Sequence, residues 1–228
     1  MSKRIGIVSE GVSDYRTLQH ITERYLKSKE GEDYYTIRLN PKEERNKQIG
    51  FGTWQGVFNY ISGQDNNKLI VEALEEGCEY VMVQIDTDVC EQYQVSHDLS
   101  NVEALWENVR QKLESSVHPD FDKTKLIYAI CIDELECWLI PFIDTDKKHC
   151  INMDRCLNIV NGDLRKKGYF IDKDNKNSIG AQKSYEHILK QKKKPKEIKE
   201  CSEFNYGFKK LIEQLDNIDA EEPHRLSV

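Results

Sequence analysis

The chain has 228 residues, 38% hydrophobic and 32% charged, with a formal net charge of −7 at neutral pH. That length supports one large domain, or one domain with a substantial appendage, around a sizeable core. No stretch approaches the roughly 18 apolar residues of a membrane span, and the negative balance argues against non-specific coating of nucleic acid while leaving room for a local basic groove.

Met-Ser-Lys-Arg runs straight into Ile5-Gly6-Ile7-Val8-Ser9, a short apolar run that reads as a first strand without a signal peptide ahead of it. The run ends at Glu10-Gly11, where Gly11 permits a tight turn or a positive φ. Ser13 reads as an N-cap, Asp14 adds negative charge to the first helical turn, and Leu18, Ile21, Tyr25 and Leu26 mark one face of a helix to about Lys27. Tyr34 to Leu39 reads as a second strand, and the polar stretch from Asn40 to Gly52 as a loop. Helices are expected over Trp54 to Ile61 and Leu69 to Leu74, separated by the turn-like Gly63-Gln64-Asp65-Asn66-Asn67, with Gly77 closing the second one.

Tyr80-Val81-Met82-Val83-Gln84-Ile85-Asp86-Thr87-Asp88 follows. It starts as a strand buried on both faces of a parallel sheet and ends in two carboxylates separated by one residue. Side chains two apart on a strand point the same way, so Asp86 and Asp88 are expected to converge just beyond the strand end, on the edge where open α/β sheets bind ligands. Val102 to Leu113 reads as an amphipathic helix. Lys125 to Ile132 reads as a fourth strand, which ends in Asp133-Glu134-Leu135-Glu136-Cys137-Trp138-Leu139-Ile140-Pro141.

The strand–helix alternation predicts an α/β fold with a mostly parallel four-stranded sheet flanked by helices over residues 1–142. After Pro141, Phe142 to Ile151 reads as irregular, and helices are expected over Met153 to Lys167, Ala181 to Gln191 and Phe204 to Leu215. Residues 143–228 therefore read as a helical extension packed on or beside the sheet. Seven lysines between Lys183 and Glu200, broken by Pro195, read as a solvated helix face and linker, with backbone-phosphate contact as the alternative.

Glu10, Asp86, Asp88 and Glu136 share one logic: each lies at or just after a strand end. Gathered carboxylates repel, so a fold that collects them needs a cation. Hard oxygen donors suit one or two Mg²⁺ or Mn²⁺ ions, with Glu134 and Asp14 as further candidate ligands. Two such ions about 3.5–4 Å apart serve phosphodiester hydrolysis. Lys183, at a predicted helix start, is the candidate for stabilising phosphate charge in the transition state. Zinc is set aside: His149-Cys150 with Cys156 lacks a second pair at ligand spacing. Seven cysteines without a C-x-x-C pair read as reduced thiols of a cytoplasmic protein. No phosphate-binding loop or dinucleotide fingerprint is present.

These residues carry a resemblance. Glu10-Gly11 before a helix, followed by a strand ending in Asp86-Thr87-Asp88, is similar to the Toprim domain of topoisomerases, primases and OLD-family nucleases. The segment from Glu134 to Pro141 resembles the E-x-W-L-L signature of the small standalone Toprim-like proteins, the DUF4276 group and the RloB-like proteins of bacterial defence loci. The resemblance covers roughly residues 3–141. Glu10-Gly11-Val12-Ser13-Asp14 fits the looser form of the first motif, and no further acidic ligand follows Asp88. It implies a metal-dependent nuclease acting on DNA or RNA in defence against phage, with Glu10, Asp86 and Asp88 matching the family's metal residues; Glu136 joins them as a metal and catalytic candidate from its own place after a strand end. The partners implied are a nucleic acid substrate and a separate ATPase subunit, with a homodimer as the assembly considered. Two alternatives stay open, a primase-like nucleotidyl transferase and a gated or non-catalytic partner of an ATPase.

Overall fold

The computed structural model of the chain describes residues 2–27, 33–41, 53–63, 69–144, 146–151 and 153–218. The central sheet has four strands, β1 (Ser2–Val8), β2 (Asp33–Asn40), β3 (Tyr80–Asp86) and β4 (Leu126–Cys131), all parallel and in the order β2-β1-β3-β4. Around it stand α1 (Val12–Leu26), α2 (Trp54–Ser62), α3 (Leu69–Glu75), α4 (Val102–Ser116), α5 (Glu136–Ile143), α6 (Lys147–Cys150), α7 (Cys156–Lys166), α8 (Ile179–Leu189), α9 (Pro195–Ser202) and α10 (Tyr206–Asp216). This is the α/β fold that the alternation predicted. The expected loop and turn at residues 42–52 and 64–67 lie outside the described residues.

Strand periodicity divides the core. Ile5, Ile7, Met82, Ile127, Ala129 and Cys131 share one buried cluster with α1, α5 and α7 to α10. Val81, Val83, Ile85, Tyr128 and Ile130 point the other way, into a cluster with α2 to α4. The helices after residue 143 are thus part of the sheet's own core, and Trp138 of α5 stacks on Phe208 of α10 at 4.9 Å between ring centroids.

Several local expectations are corrected. Gly11, with φ −139°, is extended and is itself the N-cap of α1, so Ser13 lies inside the helix. Pro141 sits within α5 rather than ending the segment, and Pro195 opens α9 rather than breaking a run, at a position in the first helical turn that has no N–H bond for proline to remove. Gly77, at φ +88°, closes α3 with two backbone bonds, Gly77 N–H to Leu74 and Cys78 N–H to Ala73.

β4 lies at the sheet edge, where α10 covers it closely. The Gln214 side-chain amide accepts from Tyr128 N–H at 2.8 Å and donates to the Tyr128 carbonyl at 2.9 Å. Two turns earlier a Cβ on Gly207 would stand 2.1 Å from the Ile130 carbonyl oxygen, so only glycine fits that approach.

Candidate metal and phosphate site

The carboxyl ends of β1 and β3 are joined by a buried glutamine. β1 stops at Val8, opposite Val83, while β3 runs on to Asp86 beside Cys131 of β4. Gln84 is fully buried; its Oε1 accepts from Glu10 N–H at 2.9 Å and its Nε2 donates to Asp86 Oδ1 at 2.8 Å. Glu10 Oε1 in turn accepts from Asp86 N–H at 2.7 Å. Three hydrogen bonds therefore lock the two acidic strand ends together. An amide inside an otherwise apolar strand was the sequence signal for this clamp, because a polar group placed there must find buried partners.

Asp88 departs from the expected convergence. β3 ends at Asp86, so the two-residue alternation does not reach Asp88, which stands exposed in the following turn. That turn is tied to the end of β4: the Asp133 carbonyl accepts from both Thr87 N–H and Asp88 N–H at 3.0 Å, and Asp133 N–H donates to Thr87 Oγ1 at 2.8 Å. Asp133 takes a left-handed backbone, φ 64°, to do this, a conformation that aspartate tolerates better than most residues.

The remaining groups come from the face covered by the C-terminal helices. Asp14, in the first turn of α1, is buried, and Ser13 Oγ donates to its Oδ1 at 3.3 Å. Glu136 opens α5 and is fully buried. Its Oε1 accepts from the Tyr185 hydroxyl of α8 and pairs with Lys176 Nζ at 2.8 Å, while its Oε2 is buried without a hydrogen-bond partner. Glu134 pairs with Lys176 at 3.4 Å and accepts from Leu157 N–H at 2.9 Å.

The electrostatics follow from crowding. Burial above all, then the neighbouring Asp14 and Asp88, pushes Glu10 up to about 8, against the pull of the Asp86 N–H. Burial and Glu136 lift Asp14 to about 6, with Lys176 opposing. Burial, Glu10 and Asp14 hold Asp86 well above the usual carboxylate range. Burial pulls Lys176 down, yet Glu136, Asp86 and Glu134 outweigh it and keep its ammonium firmly protonated.

The structure thus brings Glu10, Asp14, Asp86, Glu134 and Glu136 around one lysine, with Asp88 at the rim. That lysine is not the expected one. Lys183 lies exposed on α8, on the side away from its buried neighbours Ser184 and Tyr185, because α8 turns Tyr185 inward to Glu136. Lys176, in the loop before α8, takes the inner position.

Hard oxygen donors with raised proton affinity and one orphaned carboxylate oxygen fit a divalent cation such as Mg²⁺ or Mn²⁺. They fit zinc poorly. Asp133, Cys137 and Cys156 do lie together, but Cys137 and Cys156 form a disulfide, so neither offers a thiolate. The disulfide also corrects the expectation that all seven thiols are reduced. Of the half-site set aside above, His149 bonds Asp144 at 2.6 Å and Cys150 is a buried free thiol.

A larger cavity, about 980 Å³, opens at the other end of the strands between α4 and α10, lined by Tyr80, Trp106, Leu126 and Tyr206. It adjoins the starts of β3 and β4, whereas parallel sheets carry their chemistry at the carboxyl ends. No described helix is long and apolar enough to cross a membrane. No protein-family model, curated protein or solved structure matches the chain.

Proposed function

We propose that this protein is a divalent-metal-dependent phosphodiesterase acting on nucleic acid, with its active site at the carboxyl ends of β1, β3 and β4. The observation that carries the reading is the meeting of buried and half-buried carboxylates from three strand ends, where Glu136 keeps an unpartnered oxygen and one ammonium faces them all. A fold retains such a costly arrangement when a cation and an anionic ligand complete it.

Asp86 and Glu136 would hold the metal, with Asp14 behind them and Asp88 contributing from the rim. The bound ion supplies activated water and neutralisation of phosphate charge. Glu10, raised to about 8 when no cation is present, would give up its proton as a cation binds beside it and then take the proton from attacking water or complete a second ion site. Lys176 points its ammonium into the same space and stabilises charge that develops on the phosphoryl oxygens. Tyr185 and Glu134 position Glu136 and Lys176 through their hydrogen bonds. The resemblance noted above adds the setting, bacterial defence against phage beside a separate ATPase.

The test is Mg²⁺ and Mn²⁺ binding by calorimetry, with cleavage of plasmid DNA and total tRNA by the same preparations of wild type and Asp86→Ala/Asp88→Ala. The double substitution is expected to abolish both binding and cleavage, the latter by at least about 100-fold. Wild type that binds neither ion would overturn the reading. Binding without cleavage would favour a gated partner or a nucleotidyl transferase.

A further inference from the structure

Against the acidic edge lies a second cavity of about 320 Å³. Its lining mixes the carboxylates Asp88, Asp133, Glu134 and Asp154 with Arg155, Arg165, Lys173 and Phe170. In a chain of net charge −7, three cations converge beside the carboxylates. Arg155 starts α7 in a left-handed backbone and is 78% exposed, with Asp154 at 3.4 Å from its Nε. Arg165 and Lys173 are exposed as well.

Phe170 is the unusual member. It stays 46% exposed, and the Arg165 guanidinium lies 4.9 Å from the centre of its ring. Its backbone is nevertheless fixed. Ser184 Oγ accepts from Phe170 N–H at 3.2 Å and donates to the Phe170 carbonyl at 2.9 Å. The buried Asn161 side chain does the same for Ile171, with both bonds at 2.8 Å. Two buried polar side chains thus fix the backbone of a two-residue segment whose Phe170 ring stays half exposed under the Arg165 guanidinium.

A half-exposed ring with a guanidinium over it and an ammonium in the same cavity, beside the acidic edge, fits a base with its phosphates. We infer that this cavity is a stacking subsite for an unpaired nucleotide next to the scissile phosphate, so that the substrate is single-stranded nucleic acid. A duplex already stacks its bases on one another and must unstack one to use the Phe170 ring. Arg155, Arg165 and Lys173 take the flanking phosphates. The proposal rests on the phosphodiesterase reading for its geometry but has a readout independent of catalysis.

The measurement is fluorescence anisotropy of a short labelled oligothymidylate and of its duplex with oligoadenylate, in EDTA and in Ca²⁺, with wild type, Phe170→Ala, Phe170→Trp and Arg165→Ala. The single strand is expected to bind more tightly than the duplex. Phe170→Ala should weaken it roughly tenfold or more with an unchanged melting temperature, while Phe170→Trp keeps the affinity. Arg165→Ala should lower affinity and flatten the salt dependence. Equal binding by wild type and Phe170→Ala, tighter binding of the duplex, or no binding of the single strand would each overturn the proposal. If the acidic edge binds no metal but oligothymidylate binding still depends on Phe170, the phosphodiesterase reading falls and the subsite stands. Metal-dependent cleavage that ignores Phe170 gives the reverse.

Discussion

Two groups of charges in this molecule have the same composition and opposite behaviour. On α4, Arg110 sits between Glu107 and Glu114, bonding Glu107 at 2.7 and 2.9 Å and touching Glu114 through Nη1. At the carboxyl edge, Lys176 sits between Glu134 and Glu136. The helix triad is open to water, and Arg110 lowers Glu107 to about 2, mainly through its hydrogen bond. At the sheet edge burial comes first, and Glu134 is raised in spite of its lysine. One cation satisfies two carboxylates on a surface that water screens. The same ratio fails where water is excluded and Glu10, Asp14 and Asp86 crowd in too. The unmet demand for positive charge is what singles out the edge as the candidate site.

The sharpest way to break the comparison is to remove each cation's partnership. Lys176→Met leaves Glu136 buried and unpaired, so it should cost about 3 kcal/mol, read as a fall in melting temperature of roughly 6–12 °C for a chain of this size. Saturating Mg²⁺ should restore more of that loss than it adds to wild type; a variant that melts like wild type would show that Lys176 is not what balances the cluster.

A smaller effect separates the two groups by pH. Glu10, at about 8, and Asp14 and Asp133, each at about 6, have folded pKa values above their ordinary ones of 4.5 and 3.8. Their folded forms bind protons more tightly than the unfolded chain, so this stability is full below about pH 4 and is lost as pH rises through 6 and then 8. Metal-free protein should therefore melt several degrees lower at pH 8.5 than at pH 5.5, and Glu10→Gln should remove the upper part of the decline. Glu107 has the opposite sign: its contribution is present above pH 4.5 and lost as pH falls toward 2. The smallest expected change is Glu107→Gln on α4, about 0.3–0.5 kcal/mol, detectable by chemical denaturation and reduced by added salt.

The sequence made the site legible where its residues end elements. Glu10, Asp86 and Glu136 stand at the end of a strand or the start of a helix, positions that hydrophobic periodicity locates well. Lys176 stands in a loop between α7 and α8, with no periodicity to mark it, and its role depends on which helix face packs inward. The same ambiguity made Lys183 look like the better choice. Gln84 was visible as a polar residue in an apolar strand, but its two partners come from separate strand ends and only the register supplies them. The rigid exposed Phe170 has no local signature, because what fixes it are Asn161 and Ser184 on two different helices.

One detail of the fold bears on how copies of this chain can meet. The β4 edge would ordinarily offer its backbone to a further strand, which is how sheets join across subunits and how they aggregate. Gln214 occupies the N–H and carbonyl of Tyr128, and Gly207 brings α10 against the Ile130 carbonyl. A side-chain amide thus stands where the next strand's peptide would bond. A second copy cannot extend the sheet past β4 without first prising α10 away, so this side of the molecule is closed to edge-to-edge assembly.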